Sequence, residues 1–195
     1  SFFSKIFHLK KKKKSESDGL NNGHDDAHDE KKENGNEDDN DNTPSLRQFG
    51  VPIKSLAQTD IPHYDAPIPS VLVTLGTWLF ETQGHLIEGI FRKQPDVKEC
   101  DRIKDLLNLG KANEIQVETL DPLAIANLIK VWFRELPDSL LHPIGMQTIE
   151  QSQSTSKFVA SFQTIPEPNK SIFLWLLDLC AEVAACQSTN QMNPQ

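Results

Sequence analysis

What this 195-residue chain lacks narrows its function before anything it contains does. It has three cysteines, Cys100, Cys180 and Cys186. They are too few, and too far apart or wrongly spaced, for a zinc site. Two of them fall among apolar residues, where a free cysteine behaves as a small hydrophobe. No signal peptide is visible, so a reducing, cytoplasmic location is the expectation. No apolar run is long enough to cross a bilayer: the longest, IFLWLLDLCAEVAAC, is broken by Asp178 and Glu182. Also missing are G-x-S-x-G, H-E-x-x-H and any Cys/His pair in a recognisable frame. GHLIEGIF places Gly84 and Gly89 at P-loop spacing, but Ile90 and Phe91 stand where a Lys and a Ser/Thr would hold phosphate and magnesium. The chain therefore shows no self-contained active site, and neither a metal nor a cofactor of its own is expected.

Charge is unevenly spread. Residues 1–14, SFFSKIFHLKKKKK, carry six lysines and no acid, whereas residues 15–43 carry eleven Asp/Glu against two lysines and almost nothing apolar. Such a segment cannot bury enough surface to offset chain entropy, so residues 15–45 read as a disordered acidic, Asn/Asp-rich linker. From residue 46 onward twelve basic residues face seventeen acidic ones, a balance that argues against a nucleic-acid-binding core. In the first segment Phe2, Phe3, Ile6 and Phe7 precede Lys10, Lys11, Lys12, Lys13 and Lys14, an order that suits an anionic membrane surface. A low-complexity or nuclear-targeting run is the competing reading. His24 and His28 in HDDAHDE, and the calcium-loop-like EDDNDN, read as solvated groups, because the latter lacks both the glycine at its sixth position and the closing glutamate. The chain opens on Ser1 rather than Met and stops at NQMNPQ, which suggests a piece of a longer protein.

From Pro69 the hydrophobic period is helical, and no stretch alternates like a strand for more than a few residues. PSVLVTLGTWLFETQG sets Leu72, Leu75 and Leu79 on one stripe beside Val71 and Trp78, with Gly84 available to end it. DVKECDRIKDLLNLG opens with Asp96 and Glu99 at capping-box spacing. It is expected to bury Val97, Cys100, Ile103, Leu106 and Leu107, and to stop at Gly110. DPLAIANLIKVWFRELP takes Asp121 as N-cap and Pro122 as its first helical residue, and ends before Pro137. Weaker helices are expected at 143–151 and 156–165, and a strongly apolar one at 169–187. The expected fold class is all-α, with short connections, over residues 46–195.

Two features of these helices bear on function. Lys130 and Arg134 are four apart and share a helix face with Asn127, although like charges at that spacing cost a few tenths of a kcal/mol. A narrow solvated face explains them, and so does a basic stripe that grips an acidic or phosphate-bearing partner. In EGIFRKQP, Arg92 follows the apolar pair Ile90–Phe91 at a junction between helices. A structural ion pair is the common fate of such an arginine. The alternative is a side chain presented to a partner's active site, where its permanently charged fork neutralises charge on a transferring phosphoryl group.

EGIFRK, the capped helix after it, and IANLIKVWFRELPDSLL together resemble the Rho GTPase-activating protein (RhoGAP) domain family. FGVPIKSL and IPSVLVTLGTWLFETQG are similar to its opening segment and first long helix, so the resemblance covers residues 49–195. It implies that Arg92 is the catalytic arginine finger of a GTPase activator. Lys130 and Arg134 match the basic pair on the helix that contacts the GTPase and braces the finger loop, and Asn127, one turn earlier on that face, is taken with them as GTPase-binding. Gly89 and Phe91 belong to the finger motif, and Leu136 and Pro137 close the second motif. The implied partner is a GTP-bound Rho-family GTPase that itself holds the GTP and the magnesium.

Two positions depart from the family pattern. Where a small residue and a glycine commonly follow the arginine, this chain has Lys93, Gln94 and Pro95. TNQMNPQ resembles the start of an N-K-M-x-x-x-N-L-A segment, in which Asn190 matches the first Asn, expected to be structural, and the second lies beyond Gln195. The helices that would follow are absent too, so apolar surface is expected to be exposed. Both departures favour a competing function, a module that binds the GTPase without accelerating hydrolysis. A membrane-recruited scaffold is a third.

Overall fold

The computed structural model describes residues 46–145 and 155–193. The basic-apolar segment at 1–14, the acidic linker at 15–45 and most of the helix expected at 143–151 lie outside the described residues. Residues 141–144 are turns. The described chain is mostly helical. A two-residue ladder, β1 (Gln58–Thr59) against β2 (Ile68–Pro69), is antiparallel and leads directly into α1, Ser70–Glu81. Then come α2 (Val97–Asn108), α3 (Pro122–Arg134), α4 (Thr155–Phe162), α5 (Asn169–Ala184) and the short α6 (Gln187–Asn190), with single 3-10 turns at Ile53–Ser55, Gly84–Leu86, Ala112–Glu114 and Val117–Thr119.

Helix α1 is the central rod. Leu72, Leu75 and Leu79 are fully buried, and Val71, Val73 and Trp78 are buried around them, as expected of a helix apolar on nearly every side. It packs along α3, which in turn packs on α2. Ile125, Leu128, Ile129 and Trp132 of α3 complete this core, and each such side chain contributes about 1.5–3 kcal/mol of burial. Trp132 Nε1 donates to the carbonyl of Gln48 at 3.0 Å, tying the opening segment to α3. On α5, Ile172, Trp175, Leu179 and Val183 form one buried stripe with helical spacing.

Both expected aspartate caps are present: Asp96 accepts from the amide of Lys98 and Asp121 from that of Leu123, each at 2.9 Å. Five sequence expectations need correction. Val97 is 65 % exposed rather than buried, because as the first residue of α2 it precedes the turn that meets α3. Leu106 is half-buried at the edge of the core. Glu99 does not return to its cap; it forms a two-point pair with Arg102, 2.8 Å at each contact. Gly84 does not end α1. Gln83 supplies the left-handed residue at φ 56°, and Gly84 is needed for close approach, since a Cβ there would lie 2.6 Å from Leu79 Cδ1 and 3.0 Å from Pro122 Cβ. The apolar helix expected to run to 187 stops at Ala184, and the chain turns before α6.

Candidate functional site

Residues 84–93 form a chain of tight turns between α1 and α2. The amide of Ile87 donates to Gly84, that of Ile90 to Ile87, and those of Arg92 and Lys93 both to the Gly89 carbonyl, at 2.7 and 2.8 Å. Gly89 sits at φ +67°, where a side chain would be strained. The apolar pair fixes the loop in depth: Ile90 is 1 % exposed, and Phe91 is half-buried, lining a pocket with Val183, Ala184 and Met192. With its two predecessors anchored, Arg92 emerges at the surface.

Several contacts hold the loop from outside. Lys130 Nζ donates to the Phe91 carbonyl at 2.9 Å, from α3. The Gly89 amide donates to the Asn190 carbonyl at 2.7 Å. The Arg92 guanidinium donates to the carbonyl of Gln191, itself left-handed at φ 56° where α6 ends. No carboxylate of the described residues forms an ion pair with Arg92, Lys130 or Arg134. Glu135, which follows Arg134, pairs instead with Lys104, whose ammonium reaches its two oxygens at 2.7 and 2.9 Å and joins α2 to α3.

Asn127, Lys130 and Arg134 all lie on α3, but they face different things. Lys130 reaches the finger loop. Arg134 and Asn127 line a groove of about 250 Å³ with Gln94 and Pro95 on the loop's exit and Val97 and Cys100 on α2. Asn127 is half-buried there, its amide directed at Cys100 Sγ 3.5 Å away. Burial pushes the Cys100 thiol up, with the Asn127 contact opposing, which favours the protonated form. Leu136 packs against the core and Pro137 is exposed just past the helix. Lys10–Lys14 fall outside the described residues. Among the described residues no His, Cys, Asp and Glu side chains group as a metal site, and no helix is long and apolar enough to cross a membrane.

Residues that the sequence reading passed over take part as well. Gln191 acts through its backbone carbonyl, which side-chain chemistry cannot advertise. His85 stacks on Phe80 with ring centroids 4.5 Å apart. Burial holds its imidazole below the usual value, with Glu182 pulling the other way.

Comparisons with known proteins speak to the family and the fold. The model of the RhoGAP domain family matches residues 69–195. Rho GTPase-activating protein 5 of Arabidopsis thaliana is 31% identical over 152 residues, covering 76% of this chain and 44% of its own length. Rho GTPase-activating protein gacA of Dictyostelium discoideum is 34% identical over 128 residues, covering 66% of this chain and 37% of its own. This chain therefore spans less than half the length of these relatives. The crystal structure of human Rho GTPase activating protein 15 superposes with a TM-score of 0.61 at 17% identity, over 78% of this chain and 74% of that one, a likeness of fold. A matched family model over most of the chain, relatives of one description and a shared helical fold lead to one conclusion: the chain belongs to the RhoGAP domain family.

Proposed function

We propose that this chain accelerates GTP hydrolysis by Rho-family small GTPases, of the Rho, Rac or Cdc42 classes, by inserting Arg92 into the active site of the GTP-bound partner. The observation that carries the reading is an exposed arginine without a carboxylate partner among the described residues, on a loop held by Ile90, by Lys130 and by the Asn190 carbonyl. A side chain serving only a local ion pair needs a carboxylate and does not need three independent anchors for its backbone.

In this mechanism the partner contributes nucleotide, magnesium and the positioned water, and this chain contributes charge. Negative charge spreads over the transferring phosphoryl group and the leaving oxygen in the transition state, and a preorganised guanidinium stabilises it more there than in the ground state. An arginine supplied in trans accelerates such hydrolysis by about 10³–10⁵, equivalent to roughly 4–7 kcal/mol. Lys130 keeps the carbonyl before the finger fixed, so the arginine enters with its backbone already placed. Arg134, with Asn127 behind it, meets the acidic surface of the partner. Binding and catalysis are thereby divided between α3 and the loop.

Residues 1–14 deliver the domain to anionic membrane in this reading, each lysine contributing about 1 kcal/mol near the surface. Sedimentation with phosphatidylserine vesicles is expected for residues 1–45 and lost when Lys10–Lys14 are replaced by Gln. Equal sedimentation of both would remove the recruitment step. For the central activity the test is Arg92→Ala: stimulation falls by orders of magnitude while binding to the loaded GTPase is retained. Equal stimulation by both proteins would leave a binding module without a catalytic role.

A further inference from the structure

Thr77, Ser171 and Asn190 are the buried polar side chains among the described residues. Thr77 bonds within its own helix, to the Val73 carbonyl, and Ser171 accepts from the amide of Ala66. Asn190 is different: it ties three separate pieces of backbone together. Its Nδ2 donates to the carbonyls of His85 and Val183, both at 2.7 Å, and its Oδ1 accepts from the Met192 amide at 2.8 Å. Two carbonyls on one side and an N–H on the other fix which way the amide points. Its own carbonyl takes the Gly89 amide, and the carbonyl of the next residue, Gln191, takes the Arg92 guanidinium.

The dipeptide Asn190–Gln191 therefore holds the finger loop at its start (His85), at its turn (Gly89) and at its tip (Arg92). We propose that Asn190 is a positioning residue for the activating arginine: it sets where Arg92 stands, and Gln191 gives the guanidinium a resting place from which it moves into the partner. The proposal rests on the reading of Arg92 as the finger. It goes beyond the general fold role of a buried amide, because two of its bonds, to the His85 carbonyl and from the Gly89 amide, are made to the finger loop itself.

The variant that isolates this role is Asn190→Asp, which keeps the acceptor for Met192 and turns a donor facing two carbonyls into an oxygen that repels them. In the full-length protein we expect unchanged binding to a Rac-class GTPase loaded with a non-hydrolysable GTP analogue. Turnover at saturating activator falls about a hundredfold, the scale of a small misplacement of a catalytic group. The double variant Arg92→Ala, Asn190→Asp falls no further than Arg92→Ala alone, because both changes remove one function. Hydrogen exchange, read independently of activity, rises across 84–93 and stays unchanged in α1 and α3. Full turnover by a folded Asn190→Asp protein, or a loss that multiplies with that of Arg92→Ala, overturns the proposal, as does exchange that rises everywhere or nowhere. If Asn190→Asp does not fold, Gln191→Val decides. It places a β-branched residue at an exposed left-handed position, and unaltered turnover and exchange there overturn the proposal. Arg92→Ala with wild-type turnover would instead refute the reading beneath it.

Discussion

At the scale of single residues, the proposed site consists of one charge and the atoms that keep its backbone still. Lys130 shows how much of that is side-chain chemistry. Its ammonium is exposed, so its bond to the Phe91 carbonyl is screened and is worth less than a buried charge-assisted bond. Lys130→Gln is expected to lower saturating turnover by about tenfold, and Lys130→Arg by less, because a cationic donor still reaches the loop. Single-turnover hydrolysis at excess activator checks this, and a change confined to half-saturation would assign Lys130 to binding instead. The sequence placed Lys130 and Arg134 on one face of a helix, and they stand there. It could not place Phe91 against Lys130, because the two are 39 positions apart and the acceptor is a carbonyl that any residue has. Gln191 was invisible for the same reason, and its left-handed φ carried no glycine to announce it.

At the scale of elements, the caps and helical periods were legible because they are local. Asp96 and Asp121 cap α2 and α3 as their sequence positions require, and the buried stripe of α5 follows its 3.6-residue period. Failures came where tertiary contact decides. Val97 fits the apolar period of α2, yet as its first residue it is exposed at the rim of the groove that Arg134 also lines. Gly84 looked like a helix stop but is a contact residue: the loop approaches α1 and the start of α3 too closely for a Cβ. Gly84→Ala is therefore expected to cost about 1–3 kcal/mol, since Leu79 and its carbonyl must shift. Because that shift displaces the root of the finger loop, turnover should fall along with the melting temperature. An unchanged melting curve would show that the α1–α3 packing absorbs a methyl group there.

For the whole molecule, acid should loosen the fold before it titrates any exposed carboxylate. Burial holds His85 below its ordinary 6.5, so the folded state disfavours the proton that the unfolded chain accepts. Its contribution is complete above that value and is lost progressively as pH falls beneath it. The hydrogen bond from Arg102 holds Glu99 below 4.5. Burial raises Glu167, but hydrogen bonds from Ser171, together with Lys170, outweigh it and keep this carboxylate low as well. Stability from both is present above about pH 4.5 and disappears as they protonate. Thermal melts from pH 7.5 to 3.5 should therefore decline in two stages, and His85→Gln should remove the upper one. A flat profile down to pH 5 in both proteins would contradict this account of His85. The core between α1 and α3 and the hydrogen bonds at Asn190 thus support the loop that carries Arg92. The most direct measurement is single-turnover GTP hydrolysis by Rho-, Rac- and Cdc42-class GTPases, comparing the full-length protein with its Arg92→Ala variant. The predicted result is stimulation of at least one class that falls by about 10³-fold or more in the variant, with the complex still formed. Equal stimulation by the two, or none by either, would contradict it.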